Sequence, residues 1–298
     1  MEADRKPLCY VGIAMHPQAR RELEEVFEVT QDEGRMDEAE AAICYGVPSS
    51  WTEGNAACLK AIGCHSCGEA EARWAKERGI RMTLADGLWR TVAEHTLALM
   101  LAAARNLIPA DRRIREGKWT EHVRIKEQFS GVGLEGKTLG ILGMGQIGTQ
   151  LAELVSGFRM NVLYYDIRRL PEQEEQRLKA SAASLDEVLA AADFLCVLLP
   201  LQEDTRGMLG KEAFLRMKKG CILVNTARAG IIEEEAFLEA LCEGDLAGAA
   251  LDVFWEEGCP QRKELTACEN VVLSPHLGGS TYECDMELVN GVIGAIRG

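Results

Sequence analysis

The 298-residue chain has no charge-free apolar run of about 18 residues, the length a membrane-spanning helix needs. Its longest candidate, Thr96 to Ala104, is bounded by Glu94 and Arg105. An apolar leader is also lacking, because Met1-Glu-Ala-Asp-Arg-Lys-Pro7 is polar and acidic, so no secretory signal is expected. Positive charge is in deficit: 33 Lys and Arg stand against 47 Asp and Glu, a formal net charge of −14. Nucleic acid and anionic membrane surfaces both demand a basic face, so neither is expected as a main partner. A small anionic ligand would need a local cationic anchor. No repeat of solenoid period and no low-complexity tract occurs, and the acidic run Glu172 to Glu175 reads as a solvated helix start. Eleven cysteines, an odd number scattered along the chain, fit reduced thiols in a cytoplasmic protein better than a disulfide scaffold. Cys64-His-Ser-Cys67 has CxxC spacing without the second ligand pair of a structural zinc site, so no metal is expected there. The pair reads as loop thiols, with a redox switch as the open alternative.

What is present is a short apolar strand, Leu139 to Leu142, running into Gly143-x-Gly145-x-x-Gly148 and followed by a helical stretch. A second strand, Val162 to Tyr165, ends at Asp166, 18 residues past Gly148 (166 − 148). In this setting Gly143 permits a tight turn, Gly145 lets the backbone approach a pyrophosphate, and Gly148 lets helix and strand pack closely. Amides at the helix start, including those of Gln146 and Ile147, are placed to hold phosphate charge. A carboxylate at Asp166 hydrogen-bonds ribose hydroxyls and repels a 2′-phosphate, which favours NAD over NADP. Arg168 and Arg169 follow at once and can accommodate a phosphate, so NADP stays open as the lesser alternative.

The first part alternates strands and helices: Leu8 to Ala14, a helix over Pro17 to Val26, Ala41 to Tyr45, Leu59 to Cys64, a helix around Glu69 to Arg78, then Ile80 to Leu84. Thr91 to Arg115 reads as one long helical segment bridging two domains, with Pro109 as a kink and the apolar Thr96 to Ala104 face as a homodimer contact. From Gly136 six strands are expected: Leu139 to Leu142, Val162 to Tyr165, Phe194 to Leu199, Cys221 to Val224, Gly248 to Val253 and Val271 to Ser274. The pattern predicts an α/β protein with a Rossmann-type doubly wound parallel sheet and a second, smaller α/β domain. Ligands of such sheets gather outside the carboxyl ends of the strands, where this chain has Gly143, Asp166, Pro200, Asn225-Thr-Ala-Arg228, Asp252 and Ser274-Pro-His276.

From Val92 onward the chain resembles the D-isomer-specific 2-hydroxyacid dehydrogenases. The resemblance is carried by Val92-Ala-Glu-His-Thr-Leu-Ala-Leu with Gly117-Lys-Trp119, Leu199-Pro-Leu-Gln-Glu-Asp-Thr205, Val224-Asn-Thr-Ala-Arg228, Ala250-Leu-Asp-Val-Phe254 and Ser274-Pro-His-Leu-Gly-Gly-Ser280. It implies an NAD-binding domain over 91–276 and a flavodoxin-like substrate domain over 1–90 completed by 277–298. It implies Arg228, Glu257 and His276 as the catalytic trio, acting on a D-2-hydroxy acid or its keto form. Pro200, Thr205, Thr226, Ala227 and Arg228 would line the cofactor site with the glycine turn and Asp166, and Asp252 would face the nicotinamide carboxamide.

The chemistry needs these residue types. Reduction of a 2-keto acid builds negative charge on the carbonyl oxygen, to which an imidazole can supply a proton near neutral pH. A glutamate on the other ring nitrogen fixes the tautomer, and a guanidinium grips the carboxylate with a planar fork of donors. Taken singly, Arg228 reads equally as a surface salt bridge, Glu257 as solvated charge and His276 as structural; joint placement at strand ends favours catalysis. The family's substrate loops are altered. Gly63-Cys-His-Ser-Cys-Gly-Glu-Ala-Glu71 replaces a glycine-rich turn, leaving the Cys67 and Gly68 amides to cradle the substrate carboxylate, and Ala85-Asp-Gly-Leu-Trp-Arg90 replaces a second turn. Ala229, Gly258 and Leu198 are smaller departures, and Glu257 stands where formate dehydrogenases carry glutamine. These changes keep one alternative open, an NAD(H)-sensing regulatory or corepressor-like protein on the same fold.

Overall fold

The computed structural model describes residues 5–298 apart from 55, 86 and 119–121, with backbone only at His122 and Ile125. Trp119 of the family-like segment and Asp86 of the altered turn lie outside the described residues. The chain divides into two compact units, one ending at Thr91 and taking in Gly279–Gly298, the other Val92–Gly278.

The first unit is a five-stranded parallel sheet of β1 (Leu8–Val11), β2 (Glu28–Thr30), β3 (Ala41–Cys44), β4 (Ala61–Cys64) and β5 (Arg81–Leu84), in the order β2-β1-β3-β4-β5. β1, β3 and β4 are buried along their whole length, as parallel strands covered on both faces must be. The C-terminal helix Tyr282–Arg297 lies on β4 and β5 and buries Cys284, Leu288, Val289 and Val292. Its start is capped by Thr281, whose side chain accepts from the Cys284 amide at 3.3 Å.

The second unit is a seven-stranded parallel sheet: β6 (Thr138–Leu142), β7 (Asn161–Tyr165), β8 (Ala180–Ala182), β9 (Phe194–Val197), β10 (Cys221–Asn225), β11 (Leu246–Leu251) and β12 (Val271–Leu273). The order β12-β11-β10-β9-β6-β7-β8 reverses between β6 and β9, so the chain starts in the middle, winds outward to β8 and then crosses to the other side. That reversal makes the crevice where doubly wound sheets take ligands. Leu139, Ile141, Leu142, Val197, Leu223 and Val224 are fully buried in the middle strands, each worth about 1.5–3 kcal/mol of apolar transfer.

Four expectations need correction. The sheet has seven strands and not six: Ala180-Ser-Ala182 pairs with β7 although it holds no β-branched or aromatic residue. The long segment is two helices, Leu88–Ala104 and Leu107–Arg115, and the break is at Asn106, left-handed at φ 49°. Pro109 therefore lies in the first turn of the second helix, where its missing N–H and its clash with the carbonyl four residues back cost nothing. Thr96, Leu99, Met100, Ala103 and Ala104 are buried in this unit's own core, which accounts for most of the apolar face read as a subunit contact. Lastly, Glu175 is not solvated. It is buried in the helix Glu172–Leu178, accepting from the Tyr164 hydroxyl at 2.7 Å and from two nitrogens of Arg169 at 3.0 and 2.8 Å. The Arg169 guanidinium and the Tyr164 hydroxyl hold its carboxyl at about 2.

Candidate active site

The glycine turn joins β6 to the helix Gln146–Leu154. Gly143 has φ 100°, and a Cβ there would come within 2.8 Å of the Leu198 backbone. At Gly148 a Cβ would lie 2.3 Å from the Gly143 carbonyl oxygen, so only glycine lets helix and strand approach this closely. Gly145 differs: a Cβ there would meet nothing within 4 Å, which leaves open space in front of the amides at the start of a nine-residue helix. This geometry fits a phosphate-bearing ligand. Asp166 follows β7, and its Oδ2 accepts from the Met144 amide at 2.8 Å while Oδ1 accepts from the Arg168 amide at 2.9 Å. The carboxylate thus braces the turn, and each oxygen keeps acceptor capacity for a ribose hydroxyl.

β10 leads into Asn225-Thr-Ala-Arg228. The buried Asn225 shapes this loop, its Nδ2 donating to the Arg228 carbonyl at 3.1 Å and its Oδ1 accepting from the Ala227 amide at 3.0 Å. Arg228 is exposed at the strand's carboxyl edge, with Nη1 donating to the Ala227 carbonyl at 2.7 Å. Thr226 turns inward. The Thr96 hydroxyl donates to the Val92 carbonyl at 2.7 Å, so the Thr226 hydroxyl, 2.7 Å from it, must donate to Thr96 and is spent inside the unit. Thr205 likewise faces its own loop: it is buried, donates to the Pro200 carbonyl at 2.7 Å and accepts from the Gln202 amide at 2.8 Å. The Thr205 and Thr226 side chains thus brace the loops that carry Pro200, Ala227 and Arg228, whose backbone remains at the strand-end edge.

Glu257 and His276 are brought together. Both Glu257 oxygens lie 2.9 Å from His276 Nδ1. A carboxylate only accepts, so Nδ1 carries the proton in this pair and Nε2 is the nitrogen that can exchange one. The carboxylate is half exposed, and a pair this open is worth under about 1 kcal/mol of stability. Its contribution is to the orientation and tautomer of the ring. Both residues line a cavity of about 470 Å³ with Phe254, Cys259 and Ser274.

Asp252 follows β11 and is 1% exposed. Its Oδ1 accepts from the Ser274 hydroxyl at 2.5 Å and the Leu277 amide at 2.8 Å, and its Oδ2 from the Gly278 amide at 2.8 Å. His95 Nε2, from the helix Leu88–Ala104, lies 3.2 Å from Oδ1. Burial pushes the Asp252 carboxyl up, but donation from His95, Ser274, Leu277 and Gly278 outweighs it and holds the group below the usual carboxylate range. Asp252, which the family resemblance sets facing the nicotinamide carboxamide, braces the turn that bears His276. The sequence held one signal for His95, a titratable residue ahead of the apolar stretch Thr96 to Ala104.

In the first unit Cys67 and Gly68 precede the helix Glu69–Glu77. The Glu71 carboxylate folds back over this start, so close that a Cβ on Gly68 would come within 2.4 Å of it. An anion on the Cys67 and Gly68 amides would meet that charge, which opposes the expected substrate cradle. Burial, with Cys67 second, pushes the Cys64 thiol up to about 12, and burial with Glu71 raises Cys67, so neither is an activated thiolate. Among the described residues no cluster of His, Cys, Asp or Glu could hold a metal ion, and no helix is long and apolar enough to cross a membrane.

Residues 97–278 match the profile of the NAD binding domain of D-isomer specific 2-hydroxyacid dehydrogenases. The chain is 42% identical over 215 residues to a glyoxylate reductase of Korarchaeum cryptofilum, covering 72% of this chain and 64% of the relative. It is 41% identical over 219 residues to glyoxylate/hydroxypyruvate reductase B of Yersinia pseudotuberculosis, covering 70% of this chain and 66% of that one. The matches therefore span just under two thirds of the length of these curated relatives. Among solved structures, a Polaromonas protein assigned to the D-isomer specific 2-hydroxyacid dehydrogenases superposes with a TM-score of 0.82 at 26% identity, over 98% of this chain and 96% of the other.

Proposed function

The chain belongs to the D-isomer-specific 2-hydroxyacid dehydrogenase family, and on that footing we propose that it is an NAD-dependent oxidoreductase of small 2-keto and D-2-hydroxy acids, with glyoxylate and hydroxypyruvate as the first candidates. The observation that carries the reading is His276 Nδ1 held 2.9 Å from both oxygens of Glu257, at the strand-end edge that also bears the glycine turn. Bound NADH supplies the hydride that the carbonyl carbon receives. His276 Nε2 gives its proton to the carbonyl oxygen as negative charge develops there, and Glu257 stabilises the imidazolium from the other side of the ring. Arg228 grips the substrate carboxylate and polarises the carbonyl; it is also the local cationic anchor that a chain of net charge −14 needs for an anionic substrate. The amides at the start of the Gln146–Leu154 helix hold the pyrophosphate, and Asp166 takes the ribose hydroxyls and selects against NADP.

The test is NADH absorbance with a panel of glyoxylate, hydroxypyruvate, pyruvate and bulkier keto acids. Oxidation by at least one of the small acids, faster with NADH than with NADPH, is expected. Silence across the panel together with tight NADH binding would overturn the reading.

We also place the protein in the cytoplasm, on its eleven free cysteines. We infer a homodimer joined through the exposed Leu107, Ile108 and Ile114 of the second long helix. Light scattering should return twice the chain mass of 32.7 kDa, and a single-chain mass would refute the dimer.

A further inference from the structure

The reading of His276 as proton donor leaves open what fixes it in place. Its backbone is left-handed, φ 55°, a conformation that is strained for a non-glycine residue and persists only where the surroundings impose it. Glu257 holds the ring and the Ser274 carbonyl shares the His276 amide at 3.0 Å, but the turn itself is fastened mainly to one residue. Three consecutive amides are pinned to Asp252: that of His276 donates to its carbonyl at 2.9 Å, that of Leu277 to Oδ1 and that of Gly278 to Oδ2, each at 2.8 Å. A Cβ on Gly278 would come within 3.1 Å of Oδ2, so the turn is closed tightly over the carboxylate.

Asp252 is itself held by side chains, and proton counting settles how. Ser274 Oγ is 2.5 Å from Oδ1, and an ionised carboxylate only accepts, so the single hydroxyl proton goes to Asp252. The Ser274 oxygen can then only accept from His95 Nε2, 3.1 Å away. Oδ1, 3.2 Å from the same nitrogen, can only accept as well. Both neighbours of Nε2 are acceptors, so that nitrogen carries the proton, and His95 donates into the Ser274–Asp252 pair.

We propose that His95, Ser274 and Asp252 form a positioning unit that fixes the 276–278 turn, and through it the direction of the His276 ring. The proposal rests on the assignment of His276 as the proton donor. His95 acts through Asp252 and the turn as a positioning residue. Removing its N–H leaves Oδ1 with two donors, loosens the carboxylate and lets the turn move. A displacement of about 1 Å at a proton donor costs up to roughly a hundredfold in rate, so a partial loosening should cost about tenfold.

The experiment compares His95→Leu, which removes the donor, with His95→Gln, whose side-chain amide can place an N–H near the position of Nε2. Two readouts are taken on the full chain: steady-state kinetics, and the ring nitrogen resonances of His276 in protein labelled with ¹⁵N-histidine, assigned by their loss in His276→Gln. H95L should lower kcat about tenfold with the keto-acid KM within about twofold of wild type, because orientation matters in the transition state and not in ground-state binding. It should also shift the His276 ring resonances. H95Q should restore both, with kcat within about threefold of wild type. Ser274→Ala removes a neighbouring donor, should act in the same direction, and replaces H95L if that variant does not fold. If H95L or S274A leaves kcat and the His276 resonances at wild-type values, the proposal is wrong. It is equally wrong if H95Q is as impaired as H95L at the same thermal stability. Should the wild-type protein turn over no keto acid, the proposed function fails, while the His276 resonances in the variants still decide the positioning.

Discussion

Asp252 in the second unit and Asp285 in the first are equally hidden, 1% and 2% exposed, yet the two units treat them in opposite ways. Asp252 collects donors from Ser274, Leu277, Gly278 and His95. Asp285 receives the His16 amide on Oδ2 at 2.6 Å, and its Oδ1 has no hydrogen-bond partner among the described residues. Burial raises both carboxyls. For Asp252 the donors reverse the sign; for Asp285 the His16 amide and the nearby His65 and His16 rings offset burial only in part, and the group stays above its usual range. Donor number, not depth, decides whether a buried carboxylate organises its surroundings or burdens them. Asp252 organises a turn that bears a proposed catalytic residue, whereas Asp285 is tolerated inside a helix packed on a sheet.

The isosteric change to asparagine should separate the two. In Asp252→Asn either orientation of the amide sets an N–H against a backbone or side-chain donor, because both oxygens are already taken. A loss of about 3 kcal/mol in urea unfolding and about a hundredfold in kcat/KM is expected. Loss of stability without loss of rate would detach Asp252 from His276.

Glu175 is a third buried carboxylate and extends the comparison, since it too is donor-rich and lies at about 2, well below an ordinary glutamate near 4.3. A depressed carboxyl contributes stability that is fully present above the unfolded value and is lost as pH falls toward the folded one. Wild type should therefore weaken between about pH 5 and pH 2, and Glu175→Gln should flatten that slope. An unchanged slope would show that the Arg169 and Tyr164 contacts do not hold in solution.

Asp285→Asn should have the smallest effect, a change within about 1 kcal/mol at pH 8 and toward greater stability. Its pH dependence has the opposite sign to that of Asp252. A carboxyl raised by folding is protonated in the native state where the unfolded chain has lost its proton, so stability falls as pH rises from the ordinary value to the folded one. The asparagine variant should lack that fall. If it is destabilised as strongly as D252N, the contrast between the two sites collapses.

The strand ends were legible because buried parallel strands are continuous apolar runs, and whatever polar residue follows one stands at the ligand edge. The Gly143 to Gly148 turn and His276 follow from that logic, whereas Glu257, beyond the end of β11, was named by the family resemblance. Side-chain direction beyond a strand end does not, since the loop conformation sets it. The family resemblance could name Thr205, Thr226 and Asp252, but it could not show which partners their side chains take within the unit. His95 was hidden for a related reason: its partners lie 157 and 179 residues away in sequence. The short β8 was missed because Ala180-Ser-Ala182 gains its strand conformation from pairing with β7 alone. Glu175 was misread because its burial depends on Tyr164 and Arg169, which a charge run does not reveal.

The most direct test of the central claim, that His276 supplies the proton for hydride transfer, is NADH-dependent keto-acid reduction by His276→Gln beside its NADH affinity measured by fluorescence. Turnover should fall about a thousandfold while the Kd for NADH stays within about twofold of wild type. Turnover equal to that of the wild-type enzyme would contradict the assignment.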